Sequence, residues 1–228
     1  MSEHLKKYMA PQTWPITRKD TVYITKPSPG PHNLHTSMTL DLILRTLKYA
    51  KTKREIRKIL ANNEILIDGR RVQESTFPAG IFDTITFKTL NKHYRIIFDQ
   101  QGKLSLLPIN EEETKTKITK IIGKSIQNKG LLQLNLSDGR NILTKEKNYA
   151  VGDTLLIETP SNKIQKHVKL EPGALIYLID GKHLSDIGTV KTIEQKTITY
   201  TSTTNKEVQT LKKYAYAVGK DKPLITLT

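Results

Sequence analysis

The chain contains no cysteine, which rules out disulfides and thiolate metal sites and fits a reducing cytoplasm. Aromatic residues make up only 6% of it, and tryptophan occurs once. Hydrophobic residues reach 36%, below the usual globular share, so small cores with much wet surface are expected in place of one large core. No run approaches the ~18 apolar residues that span a bilayer. The start, Met1–Tyr8, is polar and basic with no apolar stretch behind it. Neither a membrane partner nor a secretory leader is therefore expected. Acidic residues are scarce as well: 22 Asp+Glu face 37 Lys+Arg, a net charge of +15. Such an excess draws in polyanions, nucleic acid above all.

The 228 residues suit two or three compact modules. Their charge is uneven. Residues 1–60 carry 12 basic and 4 acidic side chains, a net of +8, and the remaining 168 carry 25 and 18, a net of +7.

Residues 1–36 show no useful helical or strand period. Pro11, Pro15, Pro27, Pro29 and Pro31 fix φ and forbid helix, so an extended, semi-rigid basic arm is expected. Lys6, Lys7, Arg18, Lys19 and Lys26 punctuate it, with Tyr8, Trp14 and Tyr23 between them. Cations can meet phosphates and rings can stack on unpaired bases. For Trp14 two readings stand side by side, a stacking platform and a hydrophobic anchor for the arm. Off its partner the arm is expected to be unordered.

Residues 37–90 read as an α+β module. Leu40, Ile43, Leu44 and Leu47 repeat at i, i+3, i+4, i+7, which predicts an amphipathic helix of about three turns. Thr52 and Glu55 then form a T-x-x-E capping box, opening a second helix with Ile56, Ile59 and Leu60 on its apolar face. At ~100° per residue, Lys53, Arg57, Arg54 and Lys58 fall on the opposite face. Lysine-rich faces are usually just solvated, but like charges on one short helix repel unless phosphates supply counter-charge. The two guanidinium forks suit phosphate in particular. The segment Ile65–Val72 follows as a short strand, an Asp68-Gly69 turn and the pair Arg70-Arg71. Ile85 and Phe87 mark a further strand.

Residues 91–170 read as a β-rich module. Tyr94–Phe98 and Leu104–Leu107 flank a hairpin signal at Asp99-Gln100-Gln101-Gly102, and Ile118–Ile126 and Leu131–Leu136 follow as strands. Glu111, Glu112 and Glu113 are expected to open a short helical turn, complementing its dipole. No spacing-matched partners accompany them, so acid/base or metal chemistry is not expected there. Asp138 and Asp153 read as turn residues, and Arg140 is a candidate phosphate contact. Residues 171–228 hold a strand, a glycine loop around Asp180-Gly181-Lys182-His183, and Gly188-Thr189-Val190-Lys191-Thr192-Ile193. That order resembles the KOW pattern, a small SH3-like β-barrel. Lys182 is its candidate RNA contact. Asp180, Ser185 and Asp186 stand where family members often carry a second glycine and a basic residue, and Asp186 works against a phosphate contact there.

Several motifs occur in one order along the chain. They are His4-Leu5-Lys6-Lys7, Trp14-Pro15-Ile16, Pro27-Ser28-Pro29-Gly30-Pro31-His32, the helix–helix–strand–Asp68-Gly69-Arg70 module, Asp138-Gly139-Arg140-Asn141, and Val218-Gly219-Lys220-Asp221-Lys222-Pro223-Leu224-Ile225. This order resembles the archaeal and eukaryotic small-subunit ribosomal protein S4e family over the full chain. The sequence ends without the basic tail of eukaryotic members and so looks archaeal.

The resemblance implies a mostly β, α+β chain: an S4-type RNA-binding domain of two helices on a small sheet, a central β-rich domain and a KOW-type barrel. It implies binding to small-subunit ribosomal RNA near the 5′ domain, beside neighbouring ribosomal proteins. No catalysis, cofactor, metal or small-molecule substrate is implied, and the place of work is the cytoplasmic ribosome. It puts Lys53, Arg54, Arg57, Lys58, Arg70 and Arg71 on the RNA side and adds His32 through the proline-rich motif. Phe82-Asp83 stands where the family commonly has Gly-Asp, which suggests that the glycine is dispensable. Rival readings are an RNA-modifying enzyme and a KOW-bearing elongation factor. The first lacks a legible catalytic domain, and the second leaves the basic first module unexplained.

Overall fold

The structure, a computed structural model, describes residues 4–62, 64–127, 130–146, 148–203, 205–220 and 222–227. Asp221 of the C-terminal motif lies outside the described residues. The chain divides into two compact units, Met1–Lys115 and Thr116–Thr228.

In the first unit, helices α1 (Leu40–Thr46) and α2 (Lys53–Asn62) accompany a five-stranded antiparallel sheet. The sheet runs Arg70–Arg71, Ile65–Ile67, Thr84–Phe87, Lys92–Phe98, Leu104–Pro108 in spatial order. Ile43, Leu44, Ile56, Ile65, Ile85 and Ile96 are fully buried. Aliphatic burial of this kind contributes roughly 1.5–3 kcal/mol per side chain. Helix α1 is capped by the Thr39 side chain, which accepts from Leu42 N at 3.2 Å. It is shorter than the three turns its apolar spacing predicts. Lys48 turns left-handed at φ 59°, and its N–H and that of Tyr49 close back on the carbonyls of Arg45 and Leu44. The hairpin of strands Lys92–Phe98 and Leu104–Pro108 extends this sheet, although its sequence reads as the start of the middle module. The tight turn at Asn91, left-handed at φ 48°, pairs Phe87 with Lys92 and joins the hairpin to the preceding strand.

The N-terminal segment is not a free arm in this structure. His4–Lys6 pairs antiparallel with Tyr23–Thr25. Trp14 is 1% exposed, its indole N–H donating to Ser37 O at 2.8 Å. The anchor reading of this residue therefore holds, and no face of the ring is left for stacking. Leu104 N donates to Thr13 O at 2.7 Å, tying the segment to the last strand of the sheet. The proline-rich motif also packs inward. A Cβ on Gly80 would lie 2.2 Å from the His32 ring, so only glycine leaves room for that imidazole. The sequence shows the prolines but not these partners, which lie tens of residues away.

The second unit holds two five-stranded antiparallel sheets. One runs Asn141–Thr144, Leu132–Leu136, Thr116–Ile126, Thr154–Glu158, Ile164–Val168. Its core gathers Ile121, Leu134, Leu155 and Ile157. The other runs Glu207–Leu211, Thr197–Ser202, Ile187–Ile193, Leu175–Leu178, Ala215–Gly219, over Ile176, Leu178, Val190, Ile198 and Tyr200. Gly188 of the G-x-V pattern is required by close approach, since a Cβ there would lie 2.3 Å from the Thr201 carbonyl oxygen. The protein is thus α+β and mostly β, as its sequence predicts.

Candidate nucleic-acid interface

Helix α2 turns its apolar stripe inward, burying Ile56 and Leu60, and presents Arg54, Arg57 and Lys58 to solvent, with Lys53 half-buried. The predicted capping box forms. Thr52 Oγ1 accepts from Glu55 N at 3.3 Å, and the Glu55 carboxylate accepts from Lys51 N at 2.8 Å and Thr52 N at 3.3 Å. These bonds, that from Lys51 N foremost, hold the Glu55 carboxyl below its ordinary pKa. The one acid in the helix is thereby spent on its own N-terminus. Among the described residues, Arg54, Arg57, Lys58 and Arg70 have no ion-pair or hydrogen-bond partner.

The turn after α2 is built to show its arginines. Asp68 and Gly69 adopt φ 49° and 74°, a left-handed pair that closes a two-residue hairpin and sets Ile67 opposite Arg70. The buried Asp68 carboxylate accepts from Thr84 N at 3.0 Å, fixing the turn to the sheet. Arg70 and Arg71 stand exposed on the edge strand. The nearby acid Glu64 is held by Lys88 at 2.5 Å, and its carboxyl is lowered by that bond first and by Arg71 more weakly.

The N-terminal cations divide. Lys6, Lys19 and Lys26 are exposed, as is Arg18, which reaches Ala10 O at 3.3 Å. Lys7 is buried, with its ammonium on Asp20 and on Thr17 O at 3.0 Å. That bond, chiefly, holds the Asp20 carboxyl down at about 2. His32 is likewise turned inward, its Nε2 lying 3.0 Å from the buried Asp83 carboxylate. Asp83 also accepts from Gly80 N at 2.8 Å. Lys7 and His32, read from the sequence as RNA contacts, spend their polar atoms inside the fold.

Arg140 and Lys182 lie in the other unit. Arg140 is half-buried, its guanidinium on Asp138 at 3.2 Å and on Asn162 at 3.0 Å. Lys182 is exposed in its loop. Asp186, read as an obstacle to phosphate, has a structural role: it accepts from Tyr200 Oη and Ser202 Oγ, both at 2.8 Å. Burial and that bond raise the Tyr200 hydroxyl pKa.

Three buried cations escaped the sequence reading. Arg95 donates to the Glu113 carboxylate at 2.7 Å and its carbonyl at 2.9 Å, so Glu113 serves this pair and not only a helix dipole. Lys117 lies 3.4 Å from the buried Asp138. Lys120 donates to the carbonyls of Lys212, Lys213 and Ala215 at 2.8, 3.2 and 2.7 Å. Burial, with Lys212 nearby, lowers its ammonium to about 8. The signal for Arg95 was a charge beside Ile96 and Ile97 in an apolar strand. Nothing local marks Lys120.

Comparison with known proteins bears on the whole chain. Residues 90–164 match the ribosomal family S4e, residues 1–35 the RS4NT (NUC023) domain, and residues 38–85 the S4 domain. A protein of Methanosphaera stadtmanae named small ribosomal subunit protein eS4 is 39% identical, covering 99% of this chain and 95% of its own length. The protein of the same name from Methanocaldococcus jannaschii is 37% identical over 98% of this chain and 97% of its own. The crystal structure of the 30S ribosomal protein S4e from Thermoplasma acidophilum superposes with a TM-score of 0.70 at 29% identity, covering 82% of this chain and 95% of that one. With the exposed basic face of an S4 domain in place and relatives matched end to end, the chain belongs to the S4e family of small-subunit ribosomal proteins.

Proposed function

We propose that this protein binds small-subunit ribosomal RNA, in the 5′ domain, chiefly through Arg54, Arg57, Lys58, Arg70 and Arg71, with Lys53 at the border of the face. Membership of a ribosomal protein family makes it a structural component and not an enzyme. The observation that carries the reading is the outward face of α2, where Arg54, Arg57 and Lys58 have no ion-pair partner among the described residues while the helix's one acid is committed to the cap. Such a face is stable only weakly alone and gains when phosphates approach it. Lys6, Arg18, Lys19 and Lys26 extend the contact from the N-terminal segment, and Lys182 adds a weaker one from a KOW-type module. Lys7, His32 and Arg140 support the fold that presents these groups.

In this reading the modules 1–36, 37–90, 91–170 and 171–228 are the segments that meet RNA and neighbouring small-subunit proteins. The protein supports subunit assembly in the cytoplasm. Sucrose-gradient sedimentation of a native lysate at low and high salt tests it. Salt-resistant cosedimentation with the small subunit at near one copy each is expected, and absence from every ribosomal fraction would overturn the proposal.

A further inference from the structure

The unit Thr116–Thr228 carries an exposed apolar groove of about 600 Å³ that the basic face does not account for. Its floor is aliphatic. Ile122, Val151 and Leu211 line it and are 61%, 47% and 38% exposed. Ile122 follows the buried Ile121 and lies where the strand register shifts between Ile121 and Gly123. Its rim is cationic: Lys196, Lys212 and Lys213 line it, and no aspartate or glutamate does among the described residues. Beneath lies Lys120, whose ammonium is met by backbone carbonyls and, among the described residues, by no carboxylate. The Lys212 stem crosses Gly152, where an added Cβ would lie 3.2 Å from Lys212 Cε.

These features select an occupant. Clustered exposed aliphatic side chains mark a surface that a partner covers. A sugar–phosphate backbone would satisfy the lysines but leave the aliphatic floor wet. A peptide with apolar anchors and flanking carboxylates satisfies both. We infer that this groove docks a segment of a second protein, with aliphatic or aromatic anchors seated on Ile122, Val151 and Leu211 and aspartates or glutamates facing Lys196, Lys212 and Lys213. The ribosomal placement of the chain is assumed only in taking that partner to be a neighbour in the small subunit.

The absence of cysteine allows a clean test. Ile122→Cys and Val151→Cys, each labelled with a benzophenone maleimide, are incorporated into small subunits and irradiated, with Gln165→Cys outside the groove as control. Crosslinks to an acid-rich peptide of one ribosomal protein, at least fivefold above the control, are expected. Adding Lys196→Glu and Lys213→Glu should lower the yield at least fivefold. Crosslinks to RNA, or none, from chains that cosediment with the subunit would overturn the inference while leaving the ribosomal reading intact. A chain that fails to cosediment overturns that reading instead, and the groove is then judged on the free protein. There a fluorescent twelve-residue probe alternating leucine and glutamate should bind at least fivefold tighter than its serine–glutamate counterpart, and Ile122→Ser should abolish that preference. Equal binding of the two probes would overturn the groove assignment.

Discussion

Helix α2 and the strand Thr116–Ile126 both belong to a strongly basic chain and use their cations in opposite ways. On α2, Arg54, Arg57 and Lys58 stand in solvent without partners among the described residues. On the strand, Lys117 and Lys120 are 1% and 6% exposed and turned into the unit, one beside Asp138 and the other on three carbonyls. Net charge alone does not locate an interface. Cations that are exposed and unpaired can gain from phosphate, whereas cations already desolvated and partnered hold the fold.

Breaking this contrast should separate stability from binding. The largest effect is expected from Lys117→Ala, which leaves the buried Asp138 with only part of its counter-charge. It should lower unfolding free energy by about 3–5 kcal/mol in urea titration, while the folded fraction binds RNA within about twofold of wild type. Arg54→Glu with Arg57→Glu should do the reverse. Affinity for small-subunit RNA is expected to fall about 100-fold, near 3 kcal/mol, and the slope of log K against log salt to shrink by about 2. Unfolding free energy should stay within about 0.5 kcal/mol. Equal RNA affinity in this double variant would remove α2 from the interface.

How much of this was legible follows from sequence distance. The capping box Thr52/Glu55 and the Asp68-Gly69 turn are complete within four residues, so their geometry could be read directly and the structure reproduces it. The partners of Trp14, His32 and Lys120 lie 23, 51 and more than 90 residues away, and only folding brings them together. A basic, proline-rich segment therefore read as an RNA-facing arm when its anchors pack inward. Phe82 is a different case. Glycine looked dispensable there, yet the residue takes φ 67° and is 2% exposed. The backbone state that favours glycine persists, and a buried ring offsets its cost of roughly 1–2 kcal/mol.

The buried Lys120 sharpens the contrast through pH. Its folded pKa of about 8 lies below the unfolded value of about 10.4, so between them the unfolded chain binds more protons and stability rises with pH. From pH 7.5 to 9.5 the gain should be about 2 kcal/mol by urea unfolding, and Lys120→Met should flatten it. Above about pH 10 the raised hydroxyls of Tyr94, Tyr149, Tyr200 and Tyr216, each held up first by burial, act with the opposite sign. There the unfolded tyrosines ionise first and stability falls.

The smallest effect concerns the loop after the strand Leu175–Leu178. Ser185 sits at φ 69°, in the left-handed region, with its N–H donating to Leu178 O at 2.9 Å. Glycine at this position would keep that bond and remove a Cβ cost of about 1–2 kcal/mol, against an entropy loss of about 0.5–1 kcal/mol on folding. Ser185→Gly should therefore raise stability by about 0.5 kcal/mol, read as a higher urea midpoint at unchanged slope. RNA affinity should not move, because Asp186 remains fixed by Tyr200 and Ser202. A rise in affinity of tenfold or more would mean that the shape of this loop, and not only the exposed face of α2, limits binding, and the division between the two regions would have to be redrawn.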